Sequence, residues 1–415
     1  MFNNNMRVLH IARNLLPHIS GSTIRSRYIF KFQKKFATPF AFETNFMHKS
    51  HKSLELIDGI PYFRVEKRFK TLLSIFQRII YLLGSFRLFF FLYINKIIKD
   101  LIIYPIINLN LKRLIDFYDI QLVHVHSENW ISKHVLKICK KRNIPFVYEV
   151  RGFHELNLLA QKLDKKKSII YKKYIILHLY FKYNLIIREE NKALKKADLI
   201  FTLSKPMKKR ISSRGISKQK IKIIPNCIDS KINCLKETNL ELKKKLNLNE
   251  SFIIGFIGRI SPYEGLEFLI QSVTKMLKNN ETDIKVLIIG SGPERYVKKL
   301  ENLSKKLGID KYILFLGQIP HSEIPKYYSI IDTIILPRIN SKVCRIVTPI
   351  KPIEAMQHKT LVLASNLPAL RFSIKPKETG DLFIPENSDD LAKKLNFYMK
   401  NPKIKKKIEE KAYEY

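Results

Sequence analysis

The sequence predicts an α/β protein built from two Rossmann-like domains that face each other across a cleft. Strand-like and helix-like segments alternate along nearly the whole chain, as they do in parallel sheets joined by crossover helices. Glycines follow several apolar segments of the second half, where they permit tight turns and close approach of the backbone to a ligand. A polar segment rich in Lys, Asn and Glu lies between the halves. We therefore expect an N-terminal domain of residues 1–228, a linker of residues 229–250 and a C-terminal domain of residues 251–415.

The first half begins with a predicted strand, because the apolar run in MFNNNMRVLHIA is too short for a signal peptide. The predicted strands are Arg7–Ala12, Phe40–Thr44, Pro61–Val65, Gln121–His126, Pro145–Val150, Asp198–Leu203 and Lys220–Ile224. Helices are expected from about Thr23, over Ile131–Lys141 and along a lysine-rich stretch that reaches Ala197. The second half is predicted to contain strands at Phe252–Ile257, Lys285–Ile289, Tyr312–Leu316, Asp332–Leu336 and Leu361–Ala364.

Composition narrows the class of partner. The chain has 415 residues, of which 46% are hydrophobic, and a formal net charge of +40. Such a charge raises two partners, nucleic acid and an anionic membrane surface. No zinc-finger spacing, aromatic RNA-binding motif or helix-turn-helix signature supports nucleic acid, so we favour the membrane surface. The alternative is compositional drift, in which lysines simply occupy solvated faces.

The segment Thr71–Leu111 is the candidate membrane contact. It is crowded with Phe, Leu, Ile and Tyr, and charged residues interrupt it so often that its longest charge-free run is about 11 residues, against the ~20 that a spanning helix needs. Apolar residues mixed with spaced cations are typical of a helix that lies in the interface of an anionic membrane. The alternative is a pair of helices packed on the core. The first reading predicts a cytoplasmic protein, peripheral on the inner face of the membrane.

The four cysteines do not indicate a disulfide framework or a zinc site. Cys139, Cys227, Cys234 and Cys344 are scattered and form no CxxC pair. We therefore expect small buried residues in a reducing compartment.

The segment Leu336–Met356, LPRINSKVCRIVTPIKPIEAM, carries most of the functional signal. After a buried strand it brings three cations (Arg338, Lys342 and Arg345), and a helix expected to open around Thr348-Pro349 then presents Lys351 and Glu354. Cations and a helix N-terminus attract phosphate, and a carboxylate accepts hydrogen bonds from ribose hydroxyls. This predicts a nucleotide-diphosphate pocket at the carboxyl end of a parallel strand. An ordinary strand–loop–helix connection with solvated lysines is the alternative.

Six segments along the chain carry a family resemblance when they are taken together. They are LPHISGSTIRSR (Leu16–Arg27), VYEVRGF (Val147–Phe153), YEGL (Tyr263–Leu266), LIIGSGPE (Leu287–Glu294), FLGQIPHSEIPKYYSIIDTIILPR (Phe315–Arg338) and VTPIKPIEAM (Val347–Met356). In combination they resemble the retaining nucleotide-sugar glycosyltransferases of the GT-B fold, family 4, over nearly the whole chain. The most similar subgroup carries a YEGL turn and a VTPLKPLEAM-type segment, and its members commonly serve exopolysaccharide or lipopolysaccharide assembly.

The resemblance implies roles for individual residues. Glu354 is expected to bind the ribose, Arg259 to contact the diphosphate, and Lys351 to make a second phosphate contact. The full donor set is expected to be Gly21, Gly258, Arg259, Gly290, Gly292, Pro349, Lys351 and Glu354. Arg151 joins Arg259 and Lys351 as a catalytic candidate, and the acceptor-side candidates are Arg25, His126 and His154. Each of two residues also has a non-functional alternative: Gly21 as an ordinary turn residue and Arg151 as part of a surface ion pair.

The expected reaction moves a sugar from a nucleotide-diphosphate donor to a saccharide or lipid-linked acceptor, with retention. Fixed cations stabilise the departing diphosphate, which is usually the largest catalytic contribution. We expect no cofactor and no metal, because no DxD pair stands in a suitable loop.

Some positions depart from the family pattern, namely Ile346, Lys359, Pro368-Ala369 and Phe372. They leave open a catalytically inactive binding or scaffold subunit. A nucleic-acid-binding protein, supported by charge alone, and a GT-B sugar epimerase are less favoured hypotheses.

Overall fold

The computed structural model describes residues 5–18, 20–45, 52–65, 75, 78, 97, 99–161, 169–229, 238–248, 250–279 and 283–415. The chain forms two compact units, Met1–Pro225 and Asn226–Tyr415. Each unit has an α/β architecture built on a predominantly parallel sheet, which confirms the predicted fold class.

The N-terminal unit contains an eight-stranded sheet in the order β3-β4-β2-β1-β5-β6-β7-β8. Its strands are β1 (Met6–Ala12), β2 (Ala37–Glu43), β3 (Leu54–Ile57), β4 (Ile60–Arg64), β5 (Leu122–His126), β6 (Phe146–Val150), β7 (Leu199–Thr202) and β8 (Ile221–Ile223). All neighbouring strands are parallel except β3 and β4. Strands β1, β5 and β6 are therefore central, and their carboxyl ends lie at one edge of the sheet.

Helices cover this sheet. They are α1 (Gly21–Gln33), α2 (Tyr104–Phe117), α3 (Asn129–Lys141), α4 (His154–Gln161), α5 (Ile169–Lys196) and α6 (Lys205–Ser212). Helix α1 begins where Ser20 caps it: the Ser20 hydroxyl accepts from the Thr23 amide, and the Thr23 hydroxyl accepts from the Ser20 amide in return. This places Gly21 at the first helical position, after the loop that follows β1.

The C-terminal unit contains a six-stranded, all-parallel sheet in the order β11-β10-β9-β12-β13-β14. Its strands are β9 (Phe252–Ile257), β10 (Ile284–Ile289), β11 (Ile313–Gly317), β12 (Thr333–Leu336), β13 (Leu361–Ser365) and β14 (Asp381–Phe383). Its helices are α7 (Leu240–Lys245), α8 (Leu266–Asn279), α9 (Glu294–Lys306), α10 (Ile324–Tyr328), α11 (Lys342–Ile346), α12 (Lys351–Gln357), α13 (Pro368–Arg371), α14 (Ser388–Lys400) and α15 (Pro402–Glu414). The core holds fully buried residues of strands and helices together, such as Phe256, Ile270, Ile288 and Leu395.

Several elements differ from the sequence prediction. Strand β3 was not predicted, and it forms a hairpin with β4 through Asp58 and Gly59, whose φ angles are +54° and +68°. The C-terminal sheet has a further strand, β14. The segment expected to be a linker contains helix α7, and the loop after β12 contains helix α11.

Most of the predicted membrane segment Thr71–Leu111 lies outside the described residues. Its last part forms a π-helical turn (Lys99–Ile103) and the start of α2. Among the helices that the structure describes, none is both long enough and apolar enough to cross a bilayer.

Candidate functional site

The carboxyl ends of β9 and β10 are packed against each other through two glycines. Gly258 and Gly290 both have φ +139°, and a Cβ on Gly290 would lie 1.8 Å from the Gly258 carbonyl oxygen. In the next turn, a Cβ on Gly292 would lie 2.2 Å from the Ile260 carbonyl oxygen. The predicted strand-end glycines are thus required by backbone packing, whatever else they do.

The loop after β9 is joined to the connection after β12. The Ile339 amide donates to the Tyr263 carbonyl oxygen at 3.2 Å, and a Cβ on Gly265 would lie 2.0 Å from the Pro337 carbonyl oxygen. The YEGL turn and the LPRINSK segment therefore form one surface at the carboxyl edge of the sheet.

Glu264 lies at the centre of this surface. Its carboxylate is buried, accepts a hydrogen bond from Arg338 Nη2 at 3.0 Å and lies 3.1 Å from Lys351 Nζ. Burial alone would raise the pKa of Glu264, but Arg338 and Lys351 together lower it to about 2. Arg338 also donates to the Val347 carbonyl oxygen at 3.2 Å. This guanidinium, expected to attract phosphate, is instead neutralised inside the unit.

Lys351 is the first residue of α12, and its side chain crosses the face of Gly258. A Cβ on Gly258 would lie 2.4 Å from Lys351 Cε, and Lys351 Nζ lies 4.2 Å from the centroid of the Phe256 ring. The ammonium pairs with Glu264 at 3.1 Å and has no other acceptor among the residues that the structure describes. It therefore retains N–H donors for a ligand.

Glu354 lies one turn further along α12. Burial raises the pKa of its carboxyl group to about 7, and Lys351 only partly opposes this shift. Such a raised pKa, together with a cation nearby, is common at functional sites. In the part of the chain that the structure describes, its carboxylate has no hydrogen-bond donor.

Arg259 follows Gly258 and is exposed. Its guanidinium forms no hydrogen bond or ion pair within the described ranges. By contrast, Pro349 is buried in the connection before α12, and the helix begins at Lys351 rather than around Thr348-Pro349. With only seven residues, α12 is too short for its N-terminus to attract phosphate strongly, so the side-chain cations carry that role.

Two hydroxyls that the sequence did not single out lie in the same loops. Ser261 and Thr348 are both 4% exposed, and neither hydroxyl oxygen has a hydrogen-bond partner among the described residues. Their residue type and position give no sequence signal.

The N-terminal unit has a second charged cluster, around Glu149 on β6. One carboxylate oxygen accepts from Arg25 Nε at 2.9 Å and Nη2 at 2.7 Å, and the other accepts from Arg151 Nε at 2.7 Å. Arg25 also donates to the carbonyl oxygens of Ile224 and Pro225, at 2.9 and 2.7 Å. Burial opposes ionisation of Glu149, but Arg151, His126 and Arg25 hold its pKa well below the usual range.

Arg151 is equally engaged. Its Nη1 donates to the Ser22 carbonyl oxygen at 2.9 Å and to the Ser26 hydroxyl at 2.6 Å, which ties the loop after β6 to α1. Arg151 therefore does form an ion pair, as the alternative interpretation predicted, but its partner Glu149 is buried rather than at the surface. The sequence signal for this cluster was the single carboxylate in the otherwise apolar or aromatic strand FVYEV.

Three histidines lie beside Glu149. His10, His124 and His126 are buried, and their ring nitrogens lie within 4.8 Å of one another. Burial lowers the pKa of all three, that of His124 to about 4. His126 Nδ1 lies 2.7 Å from both Arg151 Nη2 and a Glu149 carboxylate oxygen, so the cluster is joined to the charged group around Glu149.

The two remaining predicted residues lie at helix starts in this unit. His154 begins α4, and its Nε2 lies 3.3 Å from the Ser127 carbonyl oxygen. Gly21 begins α1 and is exposed.

One departure from the family pattern is accommodated locally. Lys359, which follows the Glu354 helix, has φ +52°, the left-handed conformation that glycine favours. Its ammonium lies 4.7 Å from the centroid of the Tyr413 ring.

Comparison with known proteins gives two family matches. Residues 238–415 match the model described as Glycosyl transferases group 1, and residues 87–231 match Glycosyltransferase Family 4. An uncharacterized glycosyltransferase of Methanocaldococcus jannaschii is 24% identical over 283 residues, which are 67% of this chain and 65% of that protein. A D-inositol 3-phosphate glycosyltransferase of Corynebacterium efficiens is 31% identical over 131 residues, which are 31% of this chain and 30% of that protein. The chain thus spans less than two thirds of either relative's length.

Solved structures match the fold over almost the full length. Anabaena HepE in complex with UDP and glucose matches with a TM-score of 0.71 at 15% identity, covering 99% of this chain and 94% of that chain. Sucrose-phosphate synthase from Thermosynechococcus elongatus matches with a TM-score of 0.73 at 16% identity and the same two coverages. The chain therefore shares the two-domain α/β fold of these structures, and each of its halves is similar to a glycosyltransferase family model.

Proposed function

We propose that this protein transfers a sugar from a nucleotide-diphosphate donor to a saccharide or lipid-linked saccharide acceptor, with retention, in cell-surface polysaccharide biosynthesis. The observation that carries the donor part is that, at the carboxyl edge of the C-terminal sheet, the Lys351 side chain crosses Gly258, the residue before Arg259, and Glu354 follows Lys351 on α12. Arg259 offers a guanidinium without an internal partner in the described ranges, Lys351 an ammonium with unused donors, and Glu354 a carboxyl group to which no described residue donates.

These groups match the parts of a nucleotide sugar. Arg259 and Lys351 face the negative charge that the diphosphate gains as it departs, and Glu354 accepts hydrogen bonds from the ribose hydroxyls. Gly258, Gly290 and Gly292 let the two strand ends and the Lys351 side chain pack closely at the edge of the sheet where the diphosphate is proposed to bind.

The proposed transfer breaks one bond, forms one bond and moves one proton. The bond from the sugar's anomeric carbon to the diphosphate oxygen breaks, and its electron pair leaves with the diphosphate. The acceptor hydroxyl forms the new bond on the same face, and its proton passes to a diphosphate oxygen. Because the fixed cations supply the required positive charge, the proposal includes no metal and no cofactor.

The N-terminal residues enter the proposal as positioning groups. Arg25 donates to Glu149 and to two backbone oxygens, Arg151 donates to Glu149, the Ser22 carbonyl oxygen and the Ser26 hydroxyl, and His126 lies 2.7 Å from the same carboxylate. They can therefore fix the loops after β6 and before α1, where Gly21 and His154 stand. Direct contact of His154 or Arg151 with an acceptor stays a prediction.

Two of the matching solved structures suggest which donor and which pathway to test first. One fold match binds UDP-glucose, and another is a lipopolysaccharide outer core galactosyltransferase, which matches with a TM-score of 0.57 at 16% identity. We therefore propose a uridine diphosphate sugar as the first donor to test.

We also propose that the protein binds the anionic inner face of the cytoplasmic membrane. In the described part of the segment Thr71–Leu111, Leu101 and Leu109 are exposed. Just beyond it, Lys112, Arg113 and Phe117 are exposed as well. Exposed apolar side chains beside cations suit the headgroup region of an anionic bilayer.

The test of the donor proposal is calorimetric titration with UDP, GDP, ADP and CDP. We expect one of them to bind, and Arg259→Ala to weaken it roughly 10- to 100-fold, because a charge-assisted hydrogen bond contributes about 1.5–3 kcal/mol. Glu354→Ala should also weaken binding. Lys306→Ala, which removes an exposed cation at the far end of α9, is the control and should change affinity less than twofold. The proposal fails if none of the four binds, or if the Arg259 and Glu354 variants bind like the wild type.

A further inference from the structure

Glu264 connects the two loops that carry the cations of the donor site. Its carboxylate bonds Arg338, at the end of β12, and pairs with Lys351, at the start of α12. With 2% exposure it has little surface through which to meet a ligand. Its charge therefore acts on neighbouring side chains rather than on substrate.

The position of Lys351 depends on this carboxylate. Its aliphatic part occupies the space over Gly258, and its ammonium lies between Glu264 and the Phe256 ring. Arg338 is the other cation in the group and would repel the ammonium if Glu264 were neutral. Among the described residues, Glu264 is the one carboxylate within ion-pair distance of Lys351 Nζ.

We propose that Glu264 is a positioning residue for the donor: it holds the Lys351 ammonium over Gly258, at the place where the diphosphate approaches. This inference rests on the proposed function, and it assigns Glu264 a role that acts wholly through Lys351. Glu264 itself touches neither donor nor acceptor.

The same arrangement controls whether Lys351 is charged. The groups that face its ammonium are Glu264, Arg338 and the Cys344 thiol from the neighbouring loops, and Glu354 from its own helix. Burial lowers the pKa of Lys351, Glu264 opposes that shift, and Arg338 adds to it. Removal of the Glu264 charge therefore makes Lys351 lose its proton at a lower pH.

The experiment measures the affinity for the nucleoside diphosphate that the wild type binds best, from pH 7 to pH 9. We expect Glu264→Gln to weaken binding about tenfold at pH 7, and the loss to grow as the pH rises. Lys351→Gln should weaken binding to a similar extent with no such pH dependence. In the double variant, Glu264→Gln should add less than twofold to the loss from Lys351→Gln, since it acts through that residue.

Glu264→Asp keeps the negative charge on a side chain that is one methylene group shorter. This variant tests the inference if Glu264→Gln does not fold. We expect it to weaken binding several-fold without a new pH dependence, and this loss too should vanish in the Lys351→Gln background. The inference is overturned if either Glu264 variant binds like the wild type, or if its loss is fully additive with Lys351→Gln. Failure of the wild type to bind any of the four nucleotides would instead overturn the proposed function.

Discussion

The pKa of Glu354 gives a quantitative prediction for donor binding. In the free protein burial places it at about 7, so the carboxyl group is about one tenth ionised at pH 6 and nine tenths ionised at pH 8. Ribose hydroxyls donate hydrogen bonds, and an ionised carboxylate is the stronger acceptor. Binding therefore selects the ionised form, and affinity should rise with pH through this range.

The expected change in donor affinity with pH follows from these ionised fractions. From pH 8 to pH 6 the ionised fraction falls about tenfold, which corresponds to about 1.4 kcal/mol of binding free energy. Binding at pH 7 should release about half a proton from Glu354. Glu354→Gln has no ionisable group at this position, so its affinity should lack this component.

Calorimetry in two buffers of different ionisation enthalpy measures both quantities. The comparison of wild type with Glu354→Gln removes the contribution of the nucleotide's own phosphate, which titrates near pH 6 to 7 in both. Parallel pH profiles for the two proteins, or equal proton release, would refute the assignment of Glu354 as a carboxylate that binds the donor in its ionised form.

Two further predictions concern the N-terminal unit. Burial holds the pKa of His124 at about 4, against 6.5 in an exposed histidine, so the unfolded chain takes up a proton first as the pH falls. Stability is therefore lost between pH 6.5 and pH 4, by about 2 kcal/mol at pH 5. His124→Phe and His124→Gln should both reduce the loss of stability at pH 5 by the roughly 2 kcal/mol that His124 contributes, when unfolding is followed by fluorescence of Trp130, the only tryptophan of the chain, and an unchanged loss would contradict the buried neutral state. For the membrane proposal, binding to phosphatidylglycerol vesicles should weaken from 0.05 to 0.5 M salt and after Phe117→Ser with Leu101→Ser, whereas salt-independent binding or none would count against it.

The fold was accessible from sequence because it follows from local patterns. The alternation of apolar strands with helices predicted both parallel sheets, and the observed strand bounds mostly differ from prediction by a residue or a few. Strand β3 was missed although Asp58-Gly59 is a strong hairpin signal, because only one face of LELI is even partly buried. Helices α7 and α11 have only six and five residues, too few for a helical period to appear in the sequence.

The site was only partly accessible, because the pairing of charges depends on tertiary structure. Arg25 finds its partner Glu149 across 124 positions, and Arg338 finds Glu264 across 74. No local pattern shows which cation will be neutralised and which will face a ligand. The motif resemblance did select Arg259, and the structure leaves its guanidinium without an internal partner in the described ranges.

The two buried carboxylates suggest why a chain with a net charge of +40 needs acids at these points. Each of Glu149 and Glu264 gathers two cations, and each joins the ends of neighbouring parallel strands to the loops that follow them. A buried ion pair is a weak source of stability, because desolvation offsets most of the attraction, but loss of one partner is costly. Their effect is therefore better seen as fixing cation positions than as holding the fold together. In the N-terminal cluster both arginines donate most of their N–H groups to acceptors within the chain. In the C-terminal cluster Lys351 keeps donors that no described residue uses, so this cluster is the one suited to an anionic ligand.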